Sequence, residues 1–252
     1  MNIKQADTLN TDNPLQPEEV FVCPEESRFY ATCIRHILFQ TWIPGSIVEF
    51  GSGDGSPVLQ TLGSSSFAGF IQGYEINTKA AALARENIAS AGKADIYQVQ
   101  NACFFEAFRK HGSKLCLTSN PPYVPALEPD RLLMPQLWGG PDGSRILRRL
   151  LEQEFEYVLL LMPGISNPER VLEHAWRQGY WVHNYLITAL PFGRYTGQAY
   201  VQDRLDQMRK QKQAFCYAGH YLLAGVLFCK SPPCINSLAD SLLRLLTAES
   251  DP

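Results

Sequence analysis

The stretch Ile47-Val48-Glu49-Phe50-Gly51-Ser52-Gly53-Asp54-Gly55-Ser56-Pro57, IVEFGSGDGSP, decides the fold: an apolar run carrying one acid breaks into three glycines at alternate positions. The run has the length and character of a buried strand. The missing Cβ atoms at Gly51, Gly53 and Gly55 let the backbone turn sharply and come close to a ligand. A second apolar run ends on Glu75, 20 residues after Gly55. A carboxylate at the end of the second strand is where doubly wound sheets grip a ribose through its hydroxyls. An isolated GxG is by itself compatible with a tight strand-to-helix turn that holds nothing, and the dinucleotide fingerprint GxGxxG fails because Ser56 stands three residues after Gly53. The glycine loop and Glu75 together point to a nucleoside-bearing ligand.

Outward from this loop, strand-like and helical patterns alternate. Strands are expected at Ile47–Phe50, Phe70–Glu75, Ile96–Val99, Leu115–Ser119, Tyr157–Met162, Tyr180–Thr188 and Tyr221–Cys229. Between them lie TKAAALARENIASAG, closed by Gly92, and NPERVLEHAWRQG, with Asn167 as a cap and Gly179 as a stop. Glu26–Gln40 spaces Phe29, Cys33, His36, Ile37 and Gln40 at helical intervals and precedes Pro44-Gly45. Short connections between such units imply an α/β domain built on a seven-stranded, mostly parallel sheet, with helices on both faces and an antiparallel last strand. Residues 1–20 are polar, carry Pro14 and Pro17, and are expected to form a flexible arm. The main domain is placed at 21–235, with an insert at 190–219 and a C-terminal helix and tail at 236–252. Within the insert, Gln198–Gln213 is read as a surface helix facing water in preference to a substrate lid, and the amphipathic Asn236–Thr247 as packing on the domain surface.

The chain has 252 residues, enough for one generous α/β domain, and its 45% hydrophobic and 19% charged content excludes global disorder. A net charge of −3 argues against broad phosphate-driven binding of nucleic acid, although a local basic groove would be hidden in that total. The seven cysteines include no CxxC, and His36, His111, His174, His183 and His220 stand apart, so no metal site is expected. Cys116 and Cys229 lie in apolar runs and read as small core residues. No apolar stretch approaches the ~20 residues of a membrane span. A reduced, cytoplasmic setting without membrane contact is expected; no feature sets the oligomeric state.

The chemistry is carried by Ser119-Asn120-Pro121-Pro122-Tyr123-Val124-Pro125, SNPPYVP, at the end of the fourth strand. Three prolines forbid a regular continuation. Read alone, the stretch is equally compatible with a rigid, proline-rich exit from a strand; the glycine loop and Glu75 turn the balance toward chemistry. Asn120 offers a carbonyl acceptor, Pro121 a backbone carbonyl whose conformation Pro122 restricts, and Tyr123 a flat surface. Two acceptors aimed at the N–H bonds of an NH2 group would hold its lone pair toward an incoming electrophile.

The sequence E-x-G-x-G-x-G with an acid ending strand two resembles the class I S-adenosylmethionine-dependent methyltransferases, whose fold is Rossmann-like. The resemblance implies that Glu49, Gly51, Ser52, Gly53, Asp54 and Gly55 belong to the cofactor loop and that Glu75 holds the ribose. The family's acid near the adenine is replaced here, in VQNACFF, by Cys103, with Asn101 as substitute and Phe104 either an adenine-stacking ring or core. NPPY itself resembles the signature of enzymes that methylate adenine-N6 or glutamine-N5. It casts Asn120, Pro121, Pro122 and Tyr123 as catalytic, with Asn120 also beside the cofactor. WGGPDGSRILRRLLEQ, residues 138–153, and VFVCPEES resemble segments of the HemK-like release-factor glutamine methyltransferases, over about 20–190. Their amino-terminal helical domain has no counterpart in the roughly 20 residues before the first motif. The implied activity is methyl transfer to a planar amide or amine nitrogen, leaving S-adenosylhomocysteine, with a protein or peptide glutamine as acceptor. Adenine-N6 methylation of nucleic acid ranks second, with Arg194, Arg204, Arg209, Lys210 and Lys212 as the only suggestive basic cluster. A small-molecule acceptor and a non-catalytic cofactor-binding module rank lower.

Overall fold

The computed structural model describes residues 20–40, 45–63, 67–109, 116–230 and 237–248. Residues 1–19 of the arm expected at 1–20, and Cys234, lie outside them. Eight strands form one sheet: β1 Ser46–Phe50, β2 Phe70–Glu75, β3 Tyr97–Asn101, β4 Cys116–Ser119, β5 Tyr157–Pro163, β6 Trp181–Pro191, β7 Cys216–Tyr217 and β8 His220–Cys229. Their order is β3-β2-β1-β4-β5-β8-β6, and the two-residue β7, which the sequence did not announce, pairs with β8. β1 to β5 run parallel, and β8 lies antiparallel to both β5 and β6. This is the expected mostly parallel α/β sheet with its last strand reversed.

Val158–Met162 of β5 are buried on both faces of the sheet, which is why this strand reads as a continuous apolar run rather than an alternating one. One face packs on α1 Pro24–Cys33, α2 Ser56–Leu62 and α3 Thr78–Ser90 through Tyr30, Val58, Ala81 and Ala84. The other packs on α5 Arg145–Leu151, α6 Pro168–Arg177 and α8 Ala239–Leu246 through Leu147, Val171 and Leu242, while α4 is the single turn Phe104–Ala107. Asn77 and Asn167 cap α3 and α6 by accepting from Ala80 N and Arg170 N. Beyond Cys33 the first helix widens into a π turn over Ile34–Leu38. The widening rotates the buried stripe, so Ile37 and Leu38 enter the core while His36 and Gln40 of the expected face are exposed.

α7, Ala199–Lys210, lies in the insert between β6 and β8, and its Val201, Leu205 and Met208 are buried. It is a packed helix with one wet face. No helix among the described residues is long and apolar enough to cross a membrane. Strand order reverses between β1 and β4, and the C-terminal ends of β1, β2 and β4 meet at that switch point, where open α/β sheets hold ligands.

Candidate functional site

A cavity of about 550 Å3 opens at this switch point. Gly51 and Gly53 form its floor, in left-handed backbone at φ 70° and 56°. A Cβ added at either would meet no atom within 4 Å, so the space in front of both is free for a ligand. The loop is tied to β2 by Gly51 N donating to Tyr74 O at 2.9 Å and Gly53 N donating to Glu75 Oε2 at 2.8 Å. Ser52, Asp54 and Gly55 turn away from the cavity. Ser52 is buried, Asp54 Oδ1 accepts from Ser56 N at 3.0 Å, and Gly55 packs on Tyr97 and Ala84 as the cap of α2.

Glu75 is on the cavity wall, its other oxygen accepting from Asn77 N at 2.8 Å. Burial raises its pKa, against the pull of these N–H donors. Glu49 points the other way, fully buried under the loop, where it accepts from Tyr97 Oη at 2.5 Å and Tyr30 Oη at 3.4 Å. Burial pushes it up to about 7, with the Tyr97 hydroxyl pulling back. It supports the loop without lining the cavity.

Asn101 does not line the cavity either. Its Nδ2 donates to Glu75 O at 2.9 Å and Ile76 O at 3.2 Å, and its Oδ1 accepts from Thr78 Oγ1 at 3.2 Å, so it clips the turn after β2. Cys103 is on the wall, as is Ile76, 63% exposed. Phe104 is buried in a ring cluster, stacked on Phe108 at 5.1 Å and edge-on to Phe50 and Tyr74, with only its margin at the cavity. The half-buried ring is Phe105, with the Arg149 guanidinium 3.7 Å over its centre.

At the end of β4, Asn120 Nδ2 donates to Glu26 Oε2 at 3.0 Å, whereas Asn120 Oδ1 is buried without a partner among the described residues. Tyr123 Oη donates to Glu26 Oε1 at 2.5 Å and lies 3.0 Å from Tyr221 Oη, which itself reaches Glu26 Oε1 at 3.3 Å. Asn120, Pro121, Pro122, Tyr123 and Glu26 all line the cavity. Val124 N donates to Leu137 O, Gly139 N to Val124 O, and Ser166 Oγ to Tyr123 O, which fixes the irregular chain after the prolines. Gly139 must be a glycine, since a Cβ there would stand 2.5 Å from Tyr123 Cα. Asp142 pins the same GGPDG bracket by accepting from Ser144 Oγ, Asn167 Nδ2 and Arg170 Nη1 at 2.8, 3.1 and 2.8 Å. Burial alone would raise Asp142; the Ser144 and Arg170 bonds outweigh it and hold the group below the ordinary carboxylate value.

The insert closes the opposite rim. The Tyr195 ring meets Phe21 at 5.2 Å, Gln198 Oε1 accepts from Leu133 N at 2.8 Å, and Arg204 Nε donates to Pro141 O at 2.8 Å. Leu190, Pro191 and residues 193–196 thus line the cavity while α7 rests on the loop that follows the prolines.

No family model and no curated protein matches the sequence. Solved structures do match in shape. A candidate RNA methyltransferase from Pyrococcus horikoshii aligns at TM-score 0.55 and 13% identity, over 85% of this chain and 88% of that one. The Mtq2-Trm112 complex of E. cuniculi, named for methylation of the eRF1 translation termination factor, aligns at 0.53 and 14%, over 84% and 99%. The chain has the methyltransferase fold. The [4+2]-cyclase SpnF also aligns, at 0.50 and 11% over 81% and 80%, so the architecture by itself does not fix the reaction.

Ile76 and Phe105 on the cavity wall, and Glu26 and Tyr221 behind the motif, were not singled out from the sequence. Glu26 lies within the VFVCPEES stretch that resembles a family segment, but its contact with Asn120 and that of Tyr221 with Tyr123 arise only through the fold. Among the described residues no cluster of three or more His, Cys, Asp and Glu could hold a metal ion.

Proposed function

We propose that the protein transfers a methyl group from S-adenosylmethionine to a planar amide or amine nitrogen, with a protein glutamine side chain as the first acceptor to test. The observation that carries this reading is Asn120, which lines the cavity and whose Oδ1 is buried with no partner among the described residues. Such an atom loses its water without compensation unless a donor arrives, and an NH2 group supplies one.

The residues present fit the cofactor. The open space before Gly51 and Gly53 admits its amino-acid end against main chain, and Glu75 stands where ribose hydroxyls would be received. Cys103, Ile76 and Phe105 leave an apolar slot for the adenine. When bound, S-adenosylmethionine supplies a methyl group activated on a sulfonium. Asn120 Oδ1 and the carbonyl of Pro121 accept the two N–H bonds of the acceptor, which aims its lone pair at that methyl and favours the pyramidal nitrogen. The ring of Tyr123 supports the flat group. No general base is required, because the proton can leave after transfer.

A protein acceptor is supported by the Mtq2-Trm112 likeness. Against a nucleic-acid acceptor, Arg209 pairs with Asp206 and Arg204 bonds Pro141 O and Gln207, so these cations have work within the protein. The test incubates the protein with methyl-labelled S-adenosylmethionine and fractionated cell extract. We expect label in protein as N-methylglutamine after mild hydrolysis. Label on adenine would keep the nitrogen clamp and move the acceptor to nucleic acid. Label on carbon, oxygen or sulfur, or none, would overturn the proposal.

A further inference from the structure

We propose that Glu26 is a positioning residue that fixes the polarity of the Asn120 amide at the cavity wall, so that its oxygen and not its NH2 is the group left for the acceptor. This rests on the N-methyltransferase reading above and adds to it the residue that selects for NH-bearing acceptors.

An asparagine amide is nearly symmetric in shape, and rotation by half a turn exchanges an acceptor for a donor. At Asn120 that exchange would put two N–H bonds in front of the acceptor's own NH2. Nothing in the SNPPYVP backbone forbids the flip; the partner on the other side of the amide decides it. That partner is Glu26, in the first turn of α1, whose Oε2 receives Asn120 Nδ2 at 3.0 Å. An ionised carboxylate only accepts, so it binds the NH2 end and rejects the carbonyl end.

Glu26 is itself held so that Oε2 stays available. Tyr123 Oη donates to Oε1 at 2.5 Å and Tyr221 Oη approaches the same oxygen at 3.3 Å. The carboxylate is 6% exposed, and no cation pairs with it among the described residues. The titratable groups facing it are Cys23 and Glu25 on its own turn, Tyr123 from the motif and Tyr221 from β8. Hydrogen bonds alone therefore stabilise its charge. Burial raises its pKa, with Tyr123 and Asn120 pulling it down. Below that raised value the protonated acid can donate to Asn120 Oδ1, and the preference for the productive orientation is lost.

The decisive variant is Glu26→Gln, which keeps the volume but offers both a donor and an acceptor. Single-turnover methyl transfer to the acceptor found by labelling should fall roughly tenfold to a hundredfold, the value of a charge-assisted bond against an unspecified one. KM for the acceptor and affinity for S-adenosylhomocysteine should change less than threefold. The wild-type rate should fall as pH drops through the Glu26 titration, and the variant should lack that acid limb. A limb that persists in the variant, a wild-type rate, or equal losses in turnover and cofactor affinity would overturn the proposal. A second measurement needs no acceptor. The 15N-labelled side-chain amide of Asn120, identified by its loss in Asn120→Ala, should be protected from hydrogen exchange above the Glu26 titration and lose protection in Glu26→Gln. If the amide is unprotected in the wild type, Glu26 does not hold it. If it is protected while no acceptor is ever labelled, the N-methyltransferase reading fails and the polarity lock stands.

Discussion

Replacing Glu49 by glutamine should make the protein more stable above neutrality and leave it little changed in acid. The reasoning starts from a carboxyl that is fully buried beneath the glycine loop, with two tyrosine hydroxyls but no cation. Its pKa is about 7 in the folded chain, against 4.5 for the ordinary group. A raised folded value means that the native state holds the proton more tightly than the unfolded chain. The contribution to stability is therefore complete below pH 4.5 and is lost as pH rises through about 7. The gap between 4.5 and about 7, at 1.36 kcal/mol per decade, amounts to about 3 kcal/mol. Tyr97 and Tyr30 donate to different oxygens of Glu49, so glutamine keeps an acceptor for one hydroxyl, offers its NH2 as donor to the other, and carries no titrating proton. The unfolding free energy of Glu49→Gln minus that of the wild type should then rise by about 3 kcal/mol between pH about 4.5 and about 8.5. Urea titrations followed by far-UV circular dichroism at a series of pH values measure this difference directly. Glu26 also has a raised pKa, but both proteins carry it and it cancels; Glu75 repels Glu49 and is one cause of the raised value, so its own titration shifts with the substitution. A difference that stays flat with pH, or declines, refutes the assignment of Glu49 as a buried, uncompensated acid.

Gly53→Val should abolish binding of S-adenosylmethionine and its demethylated product, because the new side chain enters the open space before the loop and a β-branched residue costs about 1–2 kcal/mol in left-handed backbone. Calorimetry showing unchanged affinity, with the fold intact by circular dichroism, would remove the loop from the cofactor site. The α7 segment should not confer general binding to nucleic acid. Weak association with duplex DNA should fall steeply with salt, and sub-micromolar binding at physiological salt would reverse the order of protein over nucleic-acid acceptors.

The parts of this fold written in local sequence were legible. The strand, glycine loop and Glu75 are short-range features, and the left-handed angles at Gly51 and Gly53 are what an alternating glycine run provides. The buried face of α7 was available as well, since Val201, Leu205 and Met208 recur at helical spacing. The surrounding charges drew the reading toward a solvated helix, and both descriptions hold for opposite faces. What local sequence could not show is which way a side chain turns. Glu49 sits within the signature yet faces the core, because strand side chains alternate and the loop leaves only one side open to the cavity. Asn101 lies next to the right strand end but spends its amide on the carbonyls of Glu75 and Ile76. Glu26 lies 94 residues from Asn120; the VFVCPEES resemblance marked its segment, but not which of its acids would meet the motif. Only the packing of α1 against the end of β4 turns Glu26 into the partner of the motif amide.

The most direct test is single-turnover methyl transfer by Asn120→Ala beside a titration of cofactor affinity. Removing the buried, unpartnered oxygen deletes one of two acceptors directed at the substrate nitrogen. Transfer should fall by a factor on the order of one to three hundred, the scale observed for loss of an oriented group that stabilises a transition state. Cofactor affinity should fall much less, because Gly51, Gly53 and Glu75 remain in place. Methyl transfer at the wild-type rate would contradict the account and return SNPPYVP to a rigid exit from a strand.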